Sequence, residues 1–376
     1  NALYDRLMER GDKLDEIIAY DLTSTYFHGT KCPIAYIGYS RDRVSGKKQI
    51  EIAIVGAKKN RYPLFHRVYA GDVLDLKTVG RFLAELNRYK IKSKWILWDA
   101  GMVSEETLRW ADEQEYGIIC GLKASMEAYN EIIEKSGEIE TAENYMKKEG
   151  NGALYVKDFE YPIFGKERYV TVILNTDLMM RTRVERNESI REALKALGDL
   201  KLTGNKKEDL KKINVIIKDI NRYISVKIKD EKIVTEFNEK ELMKEENRDG
   251  KRIVMSTKLG LSGREIVETY FSKDFIEKIF RSLKSDIEIR PIRHRIPERV
   301  RAYVFVCVTA YRLKVELEKR FEDQKVEMGV DEFLEKMGEV EKVKIELGKE
   351  NKIRYLNMNR DLLSILKKIR MGSLLK

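Results

Sequence analysis

The sequence predicts an α/β fold: a mixed sheet flanked by helices and interrupted by a β-rich α+β insertion. Three observations carry this. Apolar runs of strand length, IIAYDLTSTYF within Leu14–Phe27, KWILWD within Ser93–Asp99 and YGIICGLK at Tyr116–Lys123, alternate with amphipathic helical stretches. Continuous apolar runs of this kind suit strands buried on both faces. Between residues 124 and 262 the texture turns patchy and highly charged, as in an insertion. The expected parts are 1–123 and 263–322 for the core, 124–262 for the insertion and 323–376 for a C-terminal helical tail.

In order, the first strand is interrupted by Asp21, a poor strand residue that is either bonded to a turn or there for its chemistry. Pro33–Tyr39 and Gln49–Val55 follow as strands around the basic turn SRDRVSGKK, which suggests an antiparallel meander. Asp75 is positioned to cap a helix whose apolar stripe is Val79, Phe82, Leu83 and Leu86. The strand WILWD ends in Asp99 much as IIAYD ends in Asp21, Ser104 caps a further helix, and Tyr116–Lys123 is a fifth strand. The order β-β-β-α-β-α-β is that of a mixed sheet with helices packed on it.

The insertion is expected to build its own small sheet. Its strands fall at Ala153–Phe159, Arg168–Leu174, Ser225–Lys229, Ile233–Phe237 and Arg252–Thr257, with helices at Asp177–Leu197 and Glu208–Tyr223. One helix is expected across Glu265–Pro291, with Ile276, Ile279, Phe280 and Leu283 as its apolar stripe. Pro297, in the first turn where proline is tolerated, starts a long helix, and a strand is expected near Lys352–Leu356. Trp98, Tyr303, Phe305 and Tyr311 read as core.

Among 376 residues, 73 Lys and Arg against 63 Asp and Glu leave a net charge of +10, which points to a polyanionic partner, nucleic acid first. Cys32, Cys120 and Cys307 are far apart, so neither a disulfide framework nor a zinc site is expected, and a reducing compartment fits. His28, His66 and His294 are equally scattered. The longest apolar run, Ala302–Tyr311, is too short to span a membrane, and no signal peptide is seen. The chain opens on Asn1, and an N-terminal segment is expected to precede it.

A second stripe accompanies the apolar one on the Glu265–Pro291 helix. Tyr270, Lys273, Glu277, Arg281 and Lys284 fall within roughly 60° of one another at about 100° per residue. Taken alone, this is a solvated face with Lys273–Glu277 and Glu277–Arg281 pairs, worth a few tenths of a kcal/mol. Two aspartates at the ends of buried strands change the balance. With Glu277 they make a hard, all-oxygen set suited to Mg²⁺ or Mn²⁺. Two such ions roughly 3.5–4 Å apart can activate an attacking hydroxyl and stabilise the leaving oxygen of a phosphodiester. Crowded carboxylates repel, so such a site should be incomplete without cations.

The motif Tyr270-x2-Lys273-x3-Glu277-x6-Lys284, with YDLTSTYFHG around Asp21 and WDAGMVSEETL around Asp99, resembles the DDE transposases of bacterial insertion sequences, which have an RNase H-like core. The resemblance is to the group marked by Tyr-x2-Arg-x3-Glu-x6-Lys. All spacings match, and Lys273 stands in the Arg position, keeping the charge but losing the bidentate fork. FRSLKSDIEIRPIRHRIPERVRAYVF and GYSRDRVSGKKQI are similar to further segments of the group, although the residues between Arg41 and Lys48 depart from its pattern. The resemblance covers roughly residues 14–123 and 262–312.

It implies that Asp21, Asp99 and Glu277 are a catalytic, metal-binding triad using Mg²⁺ or Mn²⁺, two ions in all. It implies that Tyr270, Lys273 and Lys284 grip DNA beside the cleavage point. The implied reaction is cleavage at transposon ends to free 3′-hydroxyls, then strand transfer into target DNA. The implied partners are double-stranded DNA with inverted repeats, target DNA and a second copy in a synaptic homodimer, with no membrane. Members also usually carry an N-terminal DNA-binding region. The implied location is cytoplasmic, at the nucleoid.

Arg281 lies on the same helix face, and Arg290 and Arg293, with His294 and Arg295, are expected to contact DNA. For Arg41, Arg43, Lys47 and Lys48 a DNA contact and a solvated turn are equal readings; for Lys206, Lys207, Lys211 and Lys212 the solvated surface is the better one. The rival functions are an RNase H-like nuclease without strand transfer and a non-enzymatic, transposase-derived DNA-binding protein.

Overall fold

The structure is a computed structural model that describes residues 17–38, 40, 44–58, 61–89, 91, 95–229, 232–258, 260–347 and 350–375. The expected start of the first strand at Leu14, and Tyr39, Arg41, Arg43 and Ser93, lie outside the described residues.

The chain begins with β1 (Ile17–Tyr26), β2 (Gln49–Ala57) and β3 (Tyr62–Ala70). Then come α1 (Leu76–Arg88), β4 (Trp95–Trp98), a 3₁₀ turn at Ala100–Met102, α2 (Glu105–Glu113) and β5 (Gly117–Gly121). Next are α3 (Glu127–Ser136), β6 (Tyr145–Glu149), β7 (Gly152–Ile163), β8 (Lys166–Asn175), α4 (Thr176–Asp199) and α5 (Lys206–Ile216). β9 (Ile224–Lys229), β10 (Lys232–Phe237), α6 (Glu239–Arg248) and β11 (Lys251–Ser256) lead into α7 (Gly263–Phe271) and α8 (Asp274–Ser285). The chain closes with α9 (Pro297–Asp323), α10 (Val330–Gly338), β12 (Glu341–Leu347), β13 (Glu350–Leu356), α11 (Arg360–Lys368) and a 3₁₀ turn at Gly372–Leu375. The expected order β-β-β-α-β-α-β is present, and the fold is of the mixed α/β class.

The chain forms two compact units. The first comprises Asn1–Lys77, Tyr89–Ser93 and Lys273–Lys376; the second, Thr78–Arg88 and Lys94–Ser272. In the first, β1, β2 and β3 form an antiparallel meander. Its third strand is not Pro33–Tyr39, which makes only an isolated bridge from Tyr36 to Gln49. It is β3, which the sequence hides because Pro63, His66 and Arg67 break the apolar run. Pro63 is tolerated because it faces Gly56 at a register shift, and its carbonyl accepts from Arg312 Nε of α9 at 2.7 Å.

α9 starts at Pro297 as expected and buries Val300, Val304, Val308, Tyr311 and Val315. Phe305, expected in the core, is 56% exposed, and Tyr303 is half-buried. Both lie off the stripe that runs from Val300 through Val304 to Tyr311. The tail packs Phe333 of α10 and Leu362, Ile365 and Leu366 of α11 with Phe321 of α9, and the expected strand near Lys352–Leu356 is β13, paired with β12.

In the second unit β4 and β5 are parallel and fully buried, as their apolar sequences require. Ser104 caps α2 in a reciprocal capping box with Thr107. The expected strands of the insertion are all present, but most of them do not form a separate sheet. β11 pairs with β5, β8 with β11 and β7 with β8, so they extend the sheet that carries β4. Only β9 and β10 stand apart as a hairpin, over a small core of Ile190, Leu197, Ile213, Ile220 and Ile224. Arg186 of α4 meets Asp249, just past α6, through bonds of 2.8 and 2.6 Å, both side chains being buried.

Candidate active site

In the first unit, Asp21 sits mid-strand in β1, opposite Ile54 of β2, between buried Tyr20 and Leu22. Ala19 likewise faces Gly56. Side chains alternate along a strand and opposed residues share a face, so Asp21, Ala19, Ile54 and Gly56 lie on one face. α8 covers that face through buried Phe275, Ile276 and Ile279. The absent side chain of Gly56 permits the approach: a Cβ there would stand 2.8 Å from Ile279 Cδ1 and 3.1 Å from Phe275 Cε2.

The packing brings Lys273, at the start of α8, to Asp21, with Nζ 3.7 Å from Oδ2 and the side chains only 14% and 18% exposed. Asp21 Oδ1 accepts from Leu22 N at 2.9 Å. Glu277 follows Lys273 by four residues, about 6 Å along the helix and on the same side. It is exposed, and among the described residues its carboxylate makes no ion pair. The expected i,i+4 pairs at Glu277 are therefore replaced by Lys273–Asp21. Arg281 is exposed and Lys284 half-buried further along α8.

In the second unit, Asp99 follows β4 directly and caps the Ala100–Met102 turn, its Oδ1 accepting from Ala100 N at 2.9 Å. It is exposed, while Trp98 before it is wholly buried, as expected of a core residue. Tyr270, on α7, lays its hydroxyl against Gly121 at the end of β5. A Cβ on Gly121 would lie 2.9 Å from that oxygen and 3.6 Å from Ala100 Cβ. Asp99 and Tyr270 thus share a neighbourhood at the carboxyl ends of two parallel strands, the usual place for a site in such a sheet. Lys123, whose Nζ donates to Gly101 O at 3.3 Å, belongs to the same neighbourhood and was missed from sequence. A charged residue two positions past an apolar strand was the available signal.

Asp21 does not end its strand as expected, because β1 continues to Tyr26. The helix expected across Glu265–Pro291 is two helices, α7 and α8, parted at Ser272–Lys273. Tyr270 is therefore not on the helix that carries Lys273, Glu277, Arg281 and Lys284.

Arg290 is half-buried and Arg293 exposed on the segment past α8, and Arg293 lines a small cavity with His294 and Arg295. Lys47 stacks its ammonium 4.7 Å from the centre of the Tyr26 ring, and Lys48 donates to Thr30 O at 2.9 Å.

The donor chemistry of Asp21, Asp99 and Glu277 suits a hard divalent cation. Among the described residues, however, no three His, Cys, Asp or Glu side chains are gathered closely enough to hold one. No described helix is long and apolar enough to cross a membrane.

The chain is similar to the piggyBac transposase in its synaptic complex with hairpin DNA, at 9% identity and a TM-score of 0.45, covering 86% of this chain and 51% of that one. It is also similar to the Mos1 transposase in a paired-end complex with the left transposon end, at 14% identity and a TM-score of 0.22, covering 35% and 41%. The chain thus spans about half the length of the piggyBac protein or less of each. No curated protein matches it. The family described as the transposase DDE domain matches residues 12–313, and the chain belongs to that family.

Proposed function

We propose that the protein is a cut-and-paste DNA transposase, cleaving transposon ends and joining the freed 3′-hydroxyls to target DNA. The observation that carries the reading is the meeting of Lys273 with Asp21 on the strand face that α8 covers, within a chain of the DDE family. Asp21, Asp99 and Glu277 would hold the divalent cations, Mg²⁺ or Mn²⁺, two in number. Cations there would activate the attacking hydroxyl and stabilise the leaving oxygen of the phosphodiester.

The remaining work falls to this chain's own groups. Without a cation between them carboxylates repel, and the Lys273 ammonium fills that role at Asp21. When DNA arrives, Lys273, Arg281 and Lys284 offer one cationic side of α8 to its phosphates. Tyr270 offers an aromatic face to an unpaired base. Arg290 and Arg293 extend the contact beyond the helix. Residues 124–262 interrupt the core between Asp99 and Glu277, and two copies would pair two DNA ends at the nucleoid.

The test uses a duplex carrying the inverted repeats that flank the reading frame. Asp21→Asn, Asp99→Asn and Glu277→Gln should each abolish end cleavage while DNA binding survives. Cleavage by any of them, or by the wild type in excess EDTA, overturns the reading. Pre-cleaved ends that are not joined to target DNA would reduce the protein to a nuclease.

A further inference from the structure

Past Asp21, β1 runs on into a basic cavity of about 180 Å³ that includes Arg293, given above only a general DNA contact, and that takes no part in the proposed cleavage step. His28 and Lys31 line one side, Arg293, His294 and Arg295 the other, over buried Cys32. The two segments are tied by backbone: Phe27 bridges Ile292 in parallel, His28 N donates to Ile292 O at 2.8 Å and Ile292 N to Tyr26 O at 3.0 Å. Lys48 Nζ fixes the loop from outside through Thr30 O at 2.9 Å.

Among the described residues no acidic side chain lines this cavity. Among the described residues Lys31, Arg293 and Arg295 make no ion pair. Three permanent cations and two imidazoles thus converge on one concavity with no carboxylate to relieve their repulsion. A bound anion would relieve that repulsion. Two guanidinium forks and an ammonium match the oxygens of a phosphate group.

We propose that this cavity is a phosphate-binding pocket that takes one backbone phosphate of the bound DNA, away from the scissile bond. The assignment of the anion to DNA rests on the function proposed above. Seven residues separate Asp21 from His28, which at about 3.3 Å per residue is at most about 23 Å. Base pairs rise about 3.4 Å, so the phosphate held here lies within about seven base pairs of the one facing Asp21.

The experiment measures affinity of the full chain for a labelled duplex across a salt series, with wild type, Lys31→Gln, Arg293→Gln and Arg295→Gln. Lys336→Gln, on α10, is the control, and unfolding curves check that each variant is folded. Each pocket variant should weaken binding about three- to tenfold and lower the slope of log affinity against log salt by about one, as expected for one lost phosphate contact. Arg293→Lys should keep the slope. Neutralising single phosphates with methylphosphonates should reveal one position at which the wild type loses affinity and Arg293→Gln does not. Unchanged affinity and slope in all three pocket variants overturns the pocket, whatever happens to cleavage. If the variants lose binding of inorganic phosphate but keep that of DNA, the ligand is free phosphate and the DNA assignment fails. Cleavage by Asp21→Asn, by contrast, would refute the function proposed above and leave the pocket's affinity data standing.

Discussion

Gly56 is the most exacting test of the packing that sets α8 over Asp21. In Gly56→Ala the added methyl would stand 2.8 Å from Ile279 Cδ1 and 3.1 Å from Phe275 Cε2. Ile279 is wholly buried and Phe275 nearly so. Overpacking of this kind costs about 1–3 kcal/mol. Against it stands a gain of about 0.5–1 kcal/mol from stiffening the unfolded chain. The net expectation is a loss of up to about 2.5 kcal/mol, centred near 1. The same substitution at Gly198, near the end of α4 with nothing within 4 Å of its Cβ position, should have the opposite sign, up to about 1 kcal/mol stabilising. Urea unfolding followed by circular dichroism reads both. In a cleavage assay Gly56→Ala should lose more than Gly198→Ala, because the displaced element carries Lys273 and Glu277. A Gly56→Ala protein as stable as wild type and cleaving normally would refute the geometry.

Lys273→Met removes an ammonium 3.7 Å from Asp21; Coulomb's law at an effective dielectric of 20 puts the gross interaction near 4 kcal/mol, with a net worth of about 1 after desolvation and ordering. Mn²⁺ titration of the DNA-free protein, read by electron spin resonance, should show severalfold tighter binding in Lys273→Met and little change in Lys273→Arg; equal binding in all three means Lys273 does not hold the cation's place. His66 is held down at about 4, first by burial and then by the charges of Arg312 and Arg67, against 6.5 when unfolded. The unfolded chain therefore takes up the proton first as pH falls from 6.5 to 4, and stability drops across that window by up to about 3 kcal/mol. Urea midpoints at pH 7 and 4.5 should converge in His66→Gln. Ser104→Ala breaks the α2 capping box and should cost about 1 kcal/mol in the same unfolding assay.

What the sequence made legible was whatever periodicity or capping chemistry dictates. The apolar strands β1, β4 and β5, the Ser104 cap and the Pro297 start were readable because each depends on neighbours in the chain. β3 was not, because half-buried edge residues carry no clean alternation. Nor could it be seen that β11, β8 and β7 join the sheet of β4. Pairing partners far apart in sequence are chosen by tertiary packing, and charged flanks made these strands look peripheral. For the candidate site, residue types and spacing singled out Asp21, Asp99 and Glu277 as the proposed metal ligands. The Lys273–Asp21 pair was out of reach because it depends on Gly56 letting a helix close on a strand more than two hundred residues earlier.

The break between α7 and α8 bears on how the four-residue motif should be understood. A continuous helix would set Tyr270 and Lys273 about 60° apart on one face, and the spacing would then be a matter of helical periodicity. Instead Ser272 Oγ donates to Thr269 O at 2.6 Å, and Ile276 N reaches only as far back as Lys273 O, at 3.0 Å. Competition by a short hydroxyl side chain for backbone acceptors is a known way to end a helical run. The first turn of α7 is pinned independently by the Ser262–Glu265 capping box. Tyr270 therefore belongs to the compact unit that holds Asp99, and Lys273, Glu277 and Lys284 to the one that holds Asp21. The spacing of Tyr270 and Lys273 is therefore not a helical phase, because no one helix carries both.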